Sequence, residues 1–168
     1  EITTAKRAVN LGATVFATPW NPPAEMTETV YRNNRNEKRL KYSSYQAYTD
    51  HLNSFNDYMY NNGIPLHGIS FANEPDYGHD WTWYSVDEVY NYTKNYAGQL
   101  RKNGTKVLYT AHGFHFYKGA PLLNWLIYYP VEKVCSYFTD TLITINQEDY
   151  NLAKKKMKAK KVEYVPGV

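Results

Sequence analysis

Two rhythms of apolar and polar positions take turns along the chain. Short runs rich in β-branched and aromatic residues, Thr14–Thr18 and Leu66–Ala72, read as strands. Longer stretches carry apolar residues at spacings of three and four. In the clearest of them Tyr45, Tyr48, Leu52, Phe55 and Met59 form one apolar stripe, with Ser43 or Ser44 as N-cap and Gly63 past the end. Thr3–Asn10 reads as the end of a helix closed by Gly12, and Ser85-Val-Asp-Glu88 is a capping-box pattern opening a helix to about Lys102. Beyond it, Lys106–Ala111, Thr141–Ile145 and Val162–Val165 read as strands. Ala120–Phe138 and Gln147–Lys158 read as helices, the first kinked at Pro130. From Pro19 to about Lys41 the chain is rich in Pro, then in Asn and Arg, and reads as a loop.

Strands alternating with helices of this length predict βαβ units, parallel strands and the α/β class. Five strands do not close an eight-stranded barrel, which takes roughly 250 residues. The chain opens inside a helix and stops just after a strand, so it is expected to be a piece of something larger, and no secretory leader is expected at its polar start.

Composition changes this picture in three places. The 168 residues include 43% hydrophobic ones, which excludes a disordered chain. The 18 Tyr, 4 Trp and 6 Phe are either core or a surface for stacking on ring-shaped ligands. The single cysteine, Cys135, rules out an internal disulfide and a cysteine-based zinc site, and neither a metal nor a cofactor is expected. Charge is uneven: residues 1–103 carry 10 Lys and Arg against 11 Asp and Glu, and residues 104–168 carry 9 against 5. Such a step points to two segments of different origin or partner. The basic run Lys154–Lys161 reads as a solvated helix end, where cations favour the helix dipole, so no nucleic-acid partner is expected. The charge-free apolar stretch Gly119–Val131 is too short to span a bilayer, and its helix around Leu122–Tyr129 reads as core, with docking on a membrane as the alternative.

In parallel α/β folds the working residues gather at the C-terminal ends of strands. Four stretches lie there: Pro19-Trp20-Asn21-Pro22-Pro23, Asn73-Glu74-Pro75-Asp76, Thr110-Ala111-His112-Gly113 and Asn146. Glu74 stands out, because a carboxyl on a rigid strand end at a cleft mouth is suited to general acid work. Three residues alone fit an ordinary strand-to-loop turn equally well.

The wider context is more specific. "ATPWNPPAEM" followed by "LKYSSYQAYTDHLNSFNDYMYNNGIPLHGISFANEPDYGHDWTW" resembles glycoside hydrolase family 30, in particular its bacterial glucuronoxylanase branch, over about residues 1–106. The resemblance implies a partial TIM (β/α)8 barrel and a retaining endo-xylanase mechanism with Glu74 as acid/base and Asn73 beside it. Trp20, Tyr77, Trp81 and Trp83 would line the sugar cleft. A retaining enzyme needs a second carboxylate as nucleophile, and no stretch matching the family's nucleophile strand follows.

After about Lys106 the sequence changes allegiance. "TAHGFHFYKGAP" with "TDTLITINQEDY" resembles the N-terminal Rossmann-like domain of bacterial glycosyltransferase family 4, which builds surface polysaccharides, over about residues 107–168. The resemblance implies that His112 faces a ligand cleft; a structural pair with His115 is the alternative. Three functions follow as expectations: a xylan-type hydrolase fragment, a transferase fragment, or a carbohydrate-binding piece without turnover. The partner is a polysaccharide or oligosaccharide. Secretion goes with the hydrolase, and a cytoplasmic or membrane-peripheral site with the transferase.

Overall fold

The computed structural model describes residues 2–75, 81–111 and 113–166. The chain divides into two compact units, Glu1–Thr105 and Lys106–Val168. Both are α/β with parallel strands, as the alternating pattern predicts.

The first unit runs α1 (Ile2–Asn10), β1 (Val15–Ala17), β2 (Thr27–Arg32), β3 (Arg35–Leu40), α2 (Tyr45–Asn61), β4 (Leu66–Ile69) and α3 (Val86–Asn95). β1 and β4 pair in parallel, Val15 opposite Leu66 and Ala17 opposite Ile69. β2 and β3 form an antiparallel hairpin in the stretch read as loop. Its turn is Asn33-Asn34, both at positive φ (51° and 61°), the pattern of a type I′ turn whose twist matches that of the strands.

Part of the tyrosine surplus is core, and part stands on the surface. Tyr45, Tyr48, Tyr84 and Tyr92 are buried with Leu40, Leu52, Ile64, Leu66 and Ile69. Buried phenols need partners. The Tyr92 hydroxyl shares a 2.8 Å bond with the Thr49 hydroxyl, and Tyr48 donates to the Phe71 carbonyl at 2.8 Å. Along α2 the buried stripe departs from expectation at one step, since Phe55 is exposed and Asn56 is buried instead. The Asn56 amide donates to the Lys102 carbonyl and the Thr105 hydroxyl, a demand that outweighs apolar burial at this turn. The capping box at Ser85 is present: its hydroxyl accepts from the Glu88 N–H, and the Glu88 carboxylate accepts from the Ser85 N–H. α3 stops at Asn95, short of Lys102, and 3-10 turns at Ala97–Leu100 and Lys102–Gly104 complete the path.

On the hairpin, the Glu37 side chain is fully buried and accepts from Arg32 Nη1 at 3.0 Å and Arg35 Nε at 2.9 Å. Burial raises its carboxyl pKa, but the two guanidiniums outweigh that and hold it below the ordinary 4.5. A depressed folded-state pKa contributes stability above the unfolded value and loses it as pH falls through the folded one. We therefore expect the melting temperature to hold down to pH 4.5 and fall below it. Glu37→Gln is expected to flatten part of that slope in a pH series of thermal melts. The remainder belongs to groups such as Asp57, which bonds to Lys102 and Asn103 hold low in the same way.

The second unit runs β5 (Leu108–Ala111), α4 (Leu122–Tyr137), β6 (Thr141–Thr144), α5 (Gln147–Lys156) and β7 (Lys161–Tyr164). Its sheet is all parallel in the order β5-β6-β7. Asp140 fastens its base, accepting from the Val107 N–H at 2.8 Å and pairing with Lys160 at 2.6 Å. The core is Ala111, Phe114, Phe116, Leu142, Ala153 and Met157. α4 meets its reading as a core helix on one face only: Trp125, Tyr128 and Tyr129 pack against this core, while Leu122 and Leu126 are 73% and 64% exposed. Its inner face carries Glu132, which accepts from the Tyr109 hydroxyl at 2.8 Å. Burial raises the Glu132 carboxyl and pushes the nearby Cys135 thiol up to about 11, so Cys135 stays a thiol at neutral pH. No helix of the described residues is long and apolar enough to cross a membrane.

Candidate active site

Because β1 and β4 run parallel, the segments leaving their C-terminal ends start side by side. The Ser70 N–H extends the pairing by donating to the Ala17 carbonyl at 2.9 Å. The Ser70 hydroxyl then bonds the Ala72 carbonyl, and Tyr48 bonds the Phe71 carbonyl. The backbone is thus tied residue by residue up to Asn73-Glu74-Pro75. Glu74 itself has φ 38°, a region that side chains with a Cβ adopt rarely and that often marks a functional turn. Its side chain is exposed and Asn73 is half-buried.

Two tryptophans flank this turn. The Trp81 indole N–H points at the Glu74 carbonyl, 3.4 Å away. Trp20, from the segment after β1, meets Trp81 edge to face, ring centroids 4.8 Å apart at 90°. Such a pair is worth about 0.5–1.5 kcal/mol beyond its burial. Below it the buried Thr82 hydroxyl donates to Asn21 Oδ1 at 2.9 Å, so both neighbours of the indoles are joined as well. Trp20 nonetheless stays 60% exposed, leaving ring surface open at the strand ends.

Trp83 is set differently. Thr82 and Tyr84 are buried while Trp81 and Trp83 are half-exposed, so the alternate residues of this extended segment face outward together. The Trp83 N–H donates to the Lys38 carbonyl at 2.8 Å, and the Arg32 guanidinium lies over its ring at 4.2 Å. One face of Trp83 is therefore covered by a cation. Sequence reasoning singled out neither Arg32 nor Asn21 as a contact. The pair Asn33-Asn34, suited to a type I′ turn, was the signal for the hairpin that carries Arg32.

The remaining candidates lie elsewhere. Tyr77 and His112 fall outside the described residues. His115 stacks on Tyr128 with centroids 4.7 Å apart. Asn146 is a helix cap: its side chain accepts from the Asp149 N–H and donates to the Asp149 carboxylate. Among the described residues no group of three or more His, Cys, Asp and Glu side chains is placed to hold a metal ion. The turn thus joins an exposed Glu74 to a pair of indoles through its own backbone carbonyl.

No protein-family model matches the chain. Over 101 residues it is 52% identical to Glucuronoxylanase XynC of Bacillus subtilis strain 168, covering 60% of this chain and 24% of that protein. Over 58 residues it is 72% identical to a protein of the same strain named as glycosyltransferase EpsD, covering 34% of this chain and 15% of that protein. A family 30 segment is joined to a glycosyltransferase-like segment. The crystal structure of a GH30 endoxylanase from Clostridium papyrosolvens superposes on 97% of this chain and 50% of its own, with a TM-score of 0.62 and 28% identity. The chain thus spans about a quarter of the length of the xylanase it matches in sequence. This structural likeness extends past the 101 residues matched in sequence, into the glycosyltransferase-like segment.

Proposed function

We propose that the family 30 segment is part of a retaining glycoside hydrolase acting on xylan-type polysaccharide, with Glu74 as general acid/base. The observation that carries this reading is the Trp20–Trp81 pair bonded to the Glu74 turn at the ends of two parallel strands. In this reading residues 1–106 are part of a (β/α)8 barrel and residues 107–168 part of a Rossmann-like domain. Asn73 reaches a sugar hydroxyl next to the scissile bond, and Trp20, Trp81 and Trp83 wall the cleft, joined by Tyr77. The xylanase named among the relatives supports the substrate class. Secretion is the localisation that goes with it.

The test is titration with xylo-oligosaccharides. Trp81→Ala is expected to weaken binding about fivefold or more, since stacking of one ring is worth about 1 kcal/mol or more. Glu74→Gln should bind as the parent does, because a general acid contributes in the transition state and little to ground-state affinity. Unchanged binding by Trp81→Ala sinks the aromatic cleft.

The second segment supports a separate reading, as part of a glycosyltransferase for surface polysaccharide, which its 72% identity to the EpsD protein favours. There His112 faces a cleft and the localisation is cytoplasmic or membrane-peripheral. Retained affinity for a sugar nucleotide rather than for xylan separates this function from the first. A carbohydrate-binding piece without turnover would also keep its xylan affinity in Glu74→Gln; it is distinguished by grafting these residues into the xylanase in place of the 101 they match, where only the hydrolase reading gives activity that Glu74→Gln abolishes.

A further inference from the structure

The segment after β1 leaves a second side chain at the strand ends besides Trp20. Asn21 is exposed, yet one end of its amide is fastened. Thr82, 1% exposed, reaches across 61 positions of sequence to donate from its hydroxyl to Asn21 Oδ1 at 2.9 Å. A buried hydroxyl needs a partner, and for Thr49 in α2 the backbone carbonyl of Tyr45 serves. Thr82 takes an exposed side chain from another strand end instead. A primary amide carries its accepting oxygen and its donating nitrogen on opposite branches of one plane. With the oxygen held by the buried hydroxyl, the nitrogen is turned away from it, and no described residue accepts from that nitrogen. The backbone is restrained as well. Asn21 precedes the buried Pro22, and a residue before proline is confined largely to extended conformations. A short polar side chain is thereby given one orientation, next in sequence to an indole that is open to solvent.

We propose that Asn21 is a further sugar-contacting residue of the cleft and that Thr82 is its positioning residue: the buried hydroxyl turns the amide so that its nitrogen donates to an oxygen at the rim of a sugar ring stacked on Trp20. This rests on the sugar-cleft reading and adds a polar contact to its aromatic ones. The ligand is a neutral sugar unit, whose apolar face lies on the indole and whose hydroxyl and ring oxygens stand at the edge of that face. An indole holds such a ring without fixing its rotation, and one placed donor at the rim decides which way round it lies.

The experiment titrates the whole chain, isotopically labelled in nitrogen, with xylohexaose and follows the side-chain N–H signals by NMR. Asn21→Ala and Trp20→Phe identify the amide pair and the Trp20 indole signal. In the parent both are expected to move with one dissociation constant. Asn21→Ala is expected to weaken binding about fivefold, the size of one neutral hydrogen bond. Thr82→Val keeps the shape of the side chain and removes its hydroxyl, and is expected to lose the same amount. Thr82→Ser restores the hydroxyl and should bind as the parent does. Thr82→Val combined with Asn21→Ala is expected to lose no more than Asn21→Ala alone, because Thr82 acts through the amide. Parent-like affinity in Asn21→Ala overturns the proposal, as does an amide pair that stays still while the Trp20 signal moves. A double variant that loses the sum of both single losses overturns the positioning role. If Thr82→Val fails to fold, Asn21→Ala and the amide pair decide. A parent in which neither signal moves overturns the cleft reading first, and this inference with it.

Discussion

Glucuronoxylan incubated with the purified chain is expected to release no reducing sugar. Retention of configuration takes one carboxyl to protonate the leaving oxygen and a second, roughly 5–5.5 Å away, to attack the anomeric carbon. In the proposed reading Glu74 takes the first role only. Each acid of the second unit is engaged by its own surroundings. Glu132 is bonded to Tyr109, Asp140 to Val107 and Lys160, Asp149 to the Phe114 N–H and Asn146, and Glu163 to Lys161. Glu148 accepts weakly from the Lys118 N–H at 3.4 Å in the first turn of α5. Loss of a nucleophile removes many orders of magnitude of rate, so the effect is qualitative: no product above background. Measured release that disappears in Glu74→Gln would overturn this, because it would prove a nucleophile within these residues.

The second large effect is on stability. Tyr92 has no solvent exposure, stacks on Phe71 at 4.5 Å and on Tyr96 at 5.5 Å, and tilts against Tyr45 and Tyr48. Tyr92→Ala removes a whole ring from that nest and leaves the Thr49 hydroxyl without its phenol. Truncation of a buried aromatic costs about 3–5 kcal/mol. A domain's total stability is about 5–15 kcal/mol, so the first unit should melt far below the parent or not fold. Tyr92→Phe keeps the ring and gives up one bond, a loss of about 1 kcal/mol. Denaturant titration of the three proteins checks the order; equal midpoints for Tyr92→Ala and the parent would mean that the aromatic nest does not hold this unit together.

How much of this was readable in advance follows from the range of each interaction. The Ser85 capping box closes within four residues, and sequence shows it completely. The parallel class was legible from β-rich runs alternating with amphipathic ones. The β2–β3 hairpin was not, because its residues are charged or polar on both faces and lack the apolar alternation that marks a half-buried strand. Its one clear signal was Asn33-Asn34. Phe55 and Asn56 exchanged places because the demand on Asn56 comes from Lys102 and Thr105, far along the chain. The candidate site shows the same division. Motif order pointed to Trp20, Glu74 and Trp81, but their contacts depend on the pairing of β1 with β4. The cover that Arg32 lays over Trp83 depends in turn on a hairpin that had been read as loop.

The pairing of Val15 with Leu66 also has a consequence in time. Parallel strands distant in sequence must wait for everything between them, and closing such a loop is entropically costly. The hairpin closes on a two-residue turn and asks nothing of the rest. During synthesis, then, Arg32 and Glu37 can meet on a chain that has not yet made Trp83. β1 meanwhile leaves the ribosome with its partner still untranslated, and its exposed Phe16 and open backbone edge must be kept from other chains until Leu66–Ile69 arrives.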